Sequence, residues 1–84
     1  MKYTVVLQKR VIKTLEKIKD PDYSKLKAAM FSLGENPRPK GYKRLRGRDG
    51  YRIRVGNYRI IYEIFDKILL VDVINLGHRK EIYN

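Results

Sequence analysis

The sequence predicts an α+β domain. An N-terminal strand and a two-helix hairpin are followed by a mostly antiparallel four-strand meander, all in one sheet with the helices on one face. Apolar residues follow a helical period between residues 11 and 33 and a strand pattern after residue 42, and a proline-rich connection separates the two halves. The chain has 84 residues, which is typical of one domain, so residues 1–84 are taken as a single domain.

The first two elements are a strand and a helix. Residues 1–7 (MKYTVVL) are short and rich in β-branched side chains, which favours a strand. The next apolar positions fit one face of a helix with 3.6 residues per turn. They are Val11, Ile12, Leu15 and Ile18.

A second helix is predicted to start at Asp20-Pro21. Aspartate is a favourable N-cap, and proline is suited to the first helical position. Gly34 provides a C-terminal stop. The face expected to be buried carries Leu26, Ala29, Met30 and Leu33.

Strand patterns fill the second half of the chain, after the connection 35–41. Residues 43–46 form a short predicted strand, and 51–55 and 58–65 form a hairpin around Gly56-Asn57. Asp66-Lys67 is predicted to turn the chain into 68–76. This is the most apolar segment, so we expect it at the centre of the sheet. The tail, 77–84, is polar and is expected to fray or to form a short helical turn.

The charge of the chain indicates a polyanionic partner. Its net charge is +11, from 20 lysines and arginines against 9 acidic residues. Such an excess favours nucleic acid over an acidic protein or an anionic membrane surface. No apolar run approaches the roughly 18 residues of a membrane helix, and no signal-peptide pattern opens the sequence. These features predict a cytoplasmic protein, and with no cysteine and one histidine we expect no metal.

Nine basic residues and one acid lie between residues 38 and 59. Strand alternation places Arg52 and Arg54 on one face of the sheet. A two-residue turn at Gly56-Asn57 puts Arg54 directly opposite Arg59. Like charges at facing positions are destabilising, so the arrangement suggests an anion between them, and phosphate fits best. The plainer interpretation is a solvated sheet face.

The neighbouring tyrosines also have two interpretations. Tyr51, Tyr58 and Tyr62 could stack on unpaired bases. Alternation turns them away from the arginines, so we expect them in the core.

The tail holds His78, Arg79 and Tyr83 within six residues. Metal-free RNA cleavage needs a base for the 2′-hydroxyl, cations for the phosphate and an acid for the 5′-oxygen, and these residue types can supply such roles. The product would be a 2′,3′-cyclic phosphate.

Four motifs together resemble the RelE branch of the RelE/ParE toxin superfamily. They are 43–47 (KRLRG), 51–55 (YRIRV), 56–63 (GNYRIIYE) and 77–83 (GHRKEIY). The resemblance implies a RelE-like fold and a toxin that enters the ribosomal A site and cuts mRNA there, without cofactor or metal. It also implies a cognate antitoxin, which should be acidic and apolar and should fold as it binds.

The resemblance also implies roles for particular residues. The expected catalytic residues are Arg52, Arg54, Arg59, His78, Arg79 and Tyr83. The basic segment adds expected RNA contacts at Lys43, Arg44, Arg46 and Arg48. The best-known member has lysines at two of the arginine positions. Because arginine stays charged, His78 or Tyr83 is expected to transfer the proton. Otherwise catalysis depends on electrostatic stabilisation alone.

Two other functions remain open. A ParE-like chain has the same fold and poisons DNA gyrase without cutting RNA. A non-catalytic RNA-binding or ribosome-binding protein would use the same basic face without the tail.

Overall fold

Helices and strands follow one another in the predicted order in a computed structural model that describes residues 2–78. The elements are β1 (Thr4–Leu7), α1 (Lys9–Glu16), α2 (Asp22–Ser32), β2 (Lys43–Arg44), β3 (Tyr51–Val55), β4 (Tyr58–Phe65), a 3₁₀ turn (Asp66–Ile68) and β5 (Leu70–His78).

All five strands form one sheet in the order β1-β5-β4-β3-β2. β1 is parallel to β5, and the remaining neighbours are antiparallel. This arrangement confirms the predicted α+β class with a mostly antiparallel meander. The most apolar strand, β5, is an interior strand, but β4 occupies the middle of the sheet, so the expected central position of β5 is wrong by one strand.

The helices pack on one face of the sheet through narrow apolar stripes. Val11 and Leu15 of α1 and Leu26 and Met30 of α2 are buried against side chains from β3, β4 and β5. Ile12 was expected on the same face but is 43% exposed. α1 has only two turns, and Ile12 lies 100° around the helix from Val11, at the flank of the contact.

Asp20 stabilises the start of α2, as predicted, but it lies two residues before the first residue of the helix. The helix begins at Asp22, and the Asp20 carboxylate accepts hydrogen bonds from the backbone N–H (3.0 Å) and the hydroxyl (2.5 Å) of Ser24. These bonds favour the charged form and hold the pKa of Asp20 below its ordinary value.

Four strand limits differ from the sequence prediction. β1 begins at Thr4, whereas the predicted strand began at residue 1. β2 ends at Arg44 instead of residue 46, because the chain turns at Leu45 to pack on the sheet. The predicted turn at Asp66-Lys67 is a 3₁₀ turn, so β5 begins at Leu70. β5 also runs on to His78, since the edge of β4 gives residues 77 and 78 partners.

An irregularity between β4 and β5 decides which side chains of β5 face the helices. Ile61 pairs with Asn75 and Tyr62 with Val73, so Ile74 is an extra residue. Val73 before the bulge and Leu76 after it both lie in the core under the helices. Simple alternation would put these two on opposite faces.

Candidate nucleic-acid interface

The face of the sheet away from the helices carries the basic residues of the central strands. Register and burial place Arg52, Arg54 and Arg59 on this side, while Ile53 and Ile60 between them belong to the core under the helices. We call this side the open face. The predicted grouping of the three arginines on one face is therefore observed.

Arg54 lies directly opposite Arg59 across the β3–β4 hairpin. The turn residue Gly56 has φ +59°, which glycine adopts readily, and Val55 pairs with Tyr58 to close a two-residue loop. Side chains at facing positions start about 5 Å apart at Cβ, so both guanidiniums can reach one phosphate group. Arg54 is exposed and Arg59 is partly buried.

Arg52 lies deeper than its neighbours. It is only 9% exposed, and its buried Nε–H has no hydrogen-bond acceptor among residues 2–78. Burial, with smaller contributions from the charges of Arg59 and Arg54, lowers the pKa of Arg52 from its ordinary value. A guanidinium still stays protonated at neutral pH, so three positive charges lie close together on the open face.

A small apolar cluster continues the open face beyond Arg52. Leu45 and Ile61 are buried there, and Ile74 packs against them. The Leu45 N–H donates to the Gly50 carbonyl (3.0 Å), which closes the loop between β2 and β3. Arg46 and Arg48 are exposed on this loop, at the rim of the open face. Leu45 anchors this loop, a role that the strand pattern of 43–46 did not predict.

Two basic residues of the same segment do not belong to the open face. Arg44 pairs in register with Tyr51, and its guanidinium lies 6.0 Å from the centre of that ring. Arg38 forms a two-pronged ion pair with Asp66, at 3.2 and 2.9 Å. These contacts give Arg38 a structural role and place Arg44 away from Arg52, whereas Lys43 is the register partner of Arg52.

The tyrosines pack in the core, as expected. Tyr62 is fully buried and its hydroxyl donates to the Pro37 carbonyl (2.8 Å). Tyr51 and Tyr58 are partly buried against the core under the helices. Burial also raises the pKa of Tyr62.

His78 lies on the helix side of the sheet. It pairs with Tyr58, the two rings meet edge to face at 5.8 Å between centroids, and both line a groove with Thr14, Lys17 and Ile18. The sheet therefore separates His78 from the three arginines. The bulge causes this separation, because it shifts the alternation of β5 by one residue. Arg79 and Tyr83 lie outside the described residues.

The open face can bind and neutralise an anion, but its arginines cannot accept a proton. Residues 2–78 contain no group of three side chains suited to hold a metal ion. No helix within the same residues is long and apolar enough to cross a membrane.

Comparison with known proteins identifies the family to which this chain belongs. Residues 5–83 match the family model described as the ParE toxin of the type II toxin–antitoxin system parDE. The mRNA interferase toxin RelE of Escherichia coli is 32% identical over 89 aligned positions, covering all of this chain and 93% of that one. The chain belongs to the RelE/ParE toxin family.

Other members support its place in the RelE branch. A Methanocaldococcus jannaschii protein named as a RelE1 toxin is 36% identical over 77 residues, covering 84% of this chain and 86% of that one. The archaeal RelE–RelB complex from Pyrococcus horikoshii superimposes with a TM-score of 0.85 at 28% identity, over 98% and 100% of the two chains. The present RelE-type toxin therefore has the RelE fold.

Proposed function

We propose that this RelE-type toxin is a ribosome-dependent endoribonuclease that cuts mRNA in the A-site codon. The attacking group is the 2′-hydroxyl of the substrate, and no metal ion takes part. The observation that carries this proposal is the Arg54–Arg59 pair with Arg52 beside it on the open face. The name mRNA interferase borne by the Escherichia coli relative supports the reaction class.

The three arginines stabilise the charge that develops during the reaction. Attack by the 2′-oxygen adds negative charge to the phosphoryl oxygens, and fixed cations at those oxygens lower the barrier. Arg54 and Arg59 are placed on facing strand positions, so they need little rearrangement to hold one phosphate. Arg52 adds a third positive charge, and its Nε–H has no hydrogen-bond acceptor among residues 2–78.

Proton transfer belongs to another group. Because His78 lies on the helix side of the sheet beside Tyr58, it is poorly placed for the phosphate held by the arginines. Of the candidates in the tail we therefore assign the base to Tyr83, and a phosphate contact to Arg79. Tyr83→Phe should slow cleavage more than His78→Gln.

The partner that silences the toxin is an acidic antitoxin. Solved relatives from Pyrococcus horikoshii and Escherichia coli are RelE complexes with RelB. The net charge of +11 favours an acidic chain, and an ordered partner contact stabilises a domain as small as 84 residues.

Primer extension on a reconstituted translation reaction tests the proposal. With programmed ribosomes we expect cuts within A-site codons and 2′,3′-cyclic phosphate ends. Arg59→Ala should reduce the single-turnover rate by about 10²-fold or more, as removal of a transition-state donor does. A 2′-deoxynucleotide at the cut position should abolish cleavage, since it removes the nucleophile.

Arg10→Ala is the matched control, because Arg10 is an exposed arginine on α1 in the helix layer. It removes the same charge and should leave the rate unchanged. Cuts in naked RNA would contradict ribosome dependence, and 3′-hydroxyl ends would contradict attack by the 2′-hydroxyl. Bound ribosomes without any cut would favour the non-catalytic RNA-binding alternative.

The matching family model gives one observation in favour of a second function, because its description is that of a ParE toxin. A gyrase poison would leave mRNA intact and would inhibit supercoiling of plasmid DNA by purified gyrase. The same Arg59→Ala and Arg10→Ala pair can be used in that assay.

A further inference from the structure

A basic cleft lies beside the three arginines, at the outer edge of β3. It has a volume of about 290 Å³ and is lined by Lys40, Gly41, Lys43, Arg52, Ile53 and Arg54. Four of these six residues are basic and none is acidic. We call it the edge cleft.

The edge cleft exists because β2 is short. β2 pairs with β3 only through Lys43 with Arg52 and Arg44 with Tyr51. The preceding chain then leaves the sheet, so the outer edge of β3 beyond Arg52 has no paired strand. Arg54 therefore lines the edge cleft and also lies directly opposite Arg59.

Lys40 is held at the rim of the edge cleft by a well-defined turn. The Tyr42 N–H donates to the Pro39 carbonyl (3.0 Å), and Gly41 has φ +92°. A positive φ at the third residue is the mark of a type II turn, and it places Lys40 at the second. A Cβ at Gly41 would meet nothing within 4 Å, so open space borders the turn.

Both sides of this turn are anchored to the body of the protein. Before it, Arg38 is bound by Asp66, which also accepts a hydrogen bond from the Tyr3 hydroxyl (2.5 Å). After it, Tyr42 packs against Tyr51 with ring centroids 5.8 Å apart. The backbone that carries Lys40 is therefore fixed, unlike that of a lysine on a loose loop.

The basic surface is also too wide for one phosphate group. Neighbouring strands are about 4.8 Å apart and each residue advances about 3.3 Å along a strand. Lys43 on β2 and Arg59 on β4 are two strands apart and offset by two residues, so they start about 12 Å from each other. The Arg54–Arg59 pair occupies one side of this span. The other side has its own cations and its own cavity.

We propose that the edge cleft is a second phosphate subsite, which binds the RNA backbone phosphate adjacent to the one that is cut. This inference rests on the proposed function for the identity of the anion. Lys40 and Lys43 bind this second phosphate, while Arg54 contacts both phosphates. The subsite fixes the register of the strand, so that the correct 2′-hydroxyl lies next to the bound phosphate.

Binding of non-cleavable RNA tests the subsite without using cleavage. The probe is a short oligonucleotide with a 2′-O-methyl group at the cut position, and each flanking linkage in turn is replaced by a neutral methylphosphonate. At low salt, one of the two replacements should weaken binding to the unaltered toxin by about tenfold. In the Lys40→Gln/Lys43→Gln variant, the same neutral linkage should change binding less than about twofold. The reason is that the lysine substitutions have already removed the contact that the neutral linkage removes.

Two variants separate this role from a general loss of charge. Lys9→Gln/Lys13→Gln removes the same charge from exposed positions on α1 and should keep the tenfold effect of the neutral linkage. Lys40→Arg/Lys43→Arg should restore it. In ribosome-programmed cleavage, Lys40→Gln/Lys43→Gln should lower kcat/KM, as expected when a contact that both binds and aligns the strand is lost.

The outcomes distinguish failure of the subsite from failure of the nuclease proposal. If the neutral linkage weakens binding equally in the unaltered toxin and in Lys40→Gln/Lys43→Gln, the edge cleft holds no particular phosphate and the inference is wrong. If the linkage effect depends on the two lysines but no mRNA is cut, the subsite stands and the nuclease proposal fails.

Discussion

Arg52 is a residue of the open face that lowers the stability of the folded protein. Only 9% of the residue is exposed, its Nε–H has no acceptor among the described residues, and two further guanidiniums lie close by. Each of these features makes the folded state less stable than it would be with an apolar side chain at this position. A sequence selected for stability alone would not keep an arginine there.

Replacing Arg52 with methionine should therefore stabilise the toxin while reducing cleavage. Methionine keeps a flexible, unbranched stem and removes the charge, so the free energy of unfolding should rise, on the order of 1 kcal/mol. Urea denaturation measures the change. Arg54→Met is the control, because Arg54 is exposed and its loss should affect stability little. A less stable Arg52→Met protein would show that Arg52 packs favourably in spite of its charge.

Individual residues also show how far sequence reasoning reaches. The length of the hairpin loop was enough to predict that Arg54 faces Arg59, because strand register follows from the turn. The burial of Arg52 could not be predicted, since it depends on how β2, whose Lys43 is the register partner of Arg52, lies beside β3. The face of the sheet on which His78 lies could not be predicted either, because the sequence pattern of β5 does not indicate a bulge.

At the scale of elements, Gly34 was predicted as a helix stop, and α2 does end just before it. Its structural role is a close approach. The Tyr3 N–H donates to the Gly34 carbonyl (2.7 Å), and a Cβ at Gly34 would lie 2.8 Å from the Tyr3 carbonyl oxygen. The pattern identified the right residue, but only the packing of β1 against the end of α2 gives the reason.

Gly34→Ala should thus be destabilising by about 1–3 kcal/mol, because the obstructing atom is backbone and cannot rotate away. The melting temperature by circular dichroism checks this. Ser32→Ala serves as the control at an exposed position of the same helix, and its melting temperature should stay close to that of the unaltered protein. Equal melting temperatures for all three proteins would mean that β1 shifts to make room.

Asp66 connects three segments of the chain, and this connection should depend on pH. It accepts hydrogen bonds from Arg38 and Tyr3, and these bonds hold the pKa of Asp66 below its ordinary value of 3.8. A carboxyl group whose pKa is lowered by folding contributes stability above its unfolded pKa and loses it as the pH falls through the folded value. The contribution is therefore present at neutral pH and lost below 3.8.

Asp66→Asn should lower stability at pH 7, and the difference from the unaltered protein should shrink towards about pH 2.5. Urea denaturation at the two pH values measures it. The control is Glu35→Gln, which removes an exposed ion pair with Lys2 (3.4 Å) and should have little effect at pH 7. A difference for Asp66→Asn that grew on acidification would contradict the assigned role.

For the whole molecule, excess positive charge is the dominant electrostatic feature. The toxin measures 34 × 27 × 24 Å and carries a net charge of +11, so its cations repel one another throughout the folded state. Sequence composition alone predicted this excess and the preference for a polyanion. It could not predict the edge cleft, because the cleft depends on where β2 ends and on the turn that holds Lys40.

Added salt should consequently stabilise the toxin. The Debye length is about 30 Å at 0.01 M and about 10 Å at 0.1 M, so salt in this range begins to screen repulsion across the whole molecule. We expect the melting temperature to rise by a few degrees, with 4–8 °C corresponding to roughly 1 kcal/mol for a domain of this size. Lys9→Glu/Lys13→Glu lowers the net charge to +7, from 11 minus two for each substitution, and should show a smaller rise. A melting temperature that fell with salt would mean that attractive ion pairs, such as the one between Arg38 and Asp66, outweigh the repulsion.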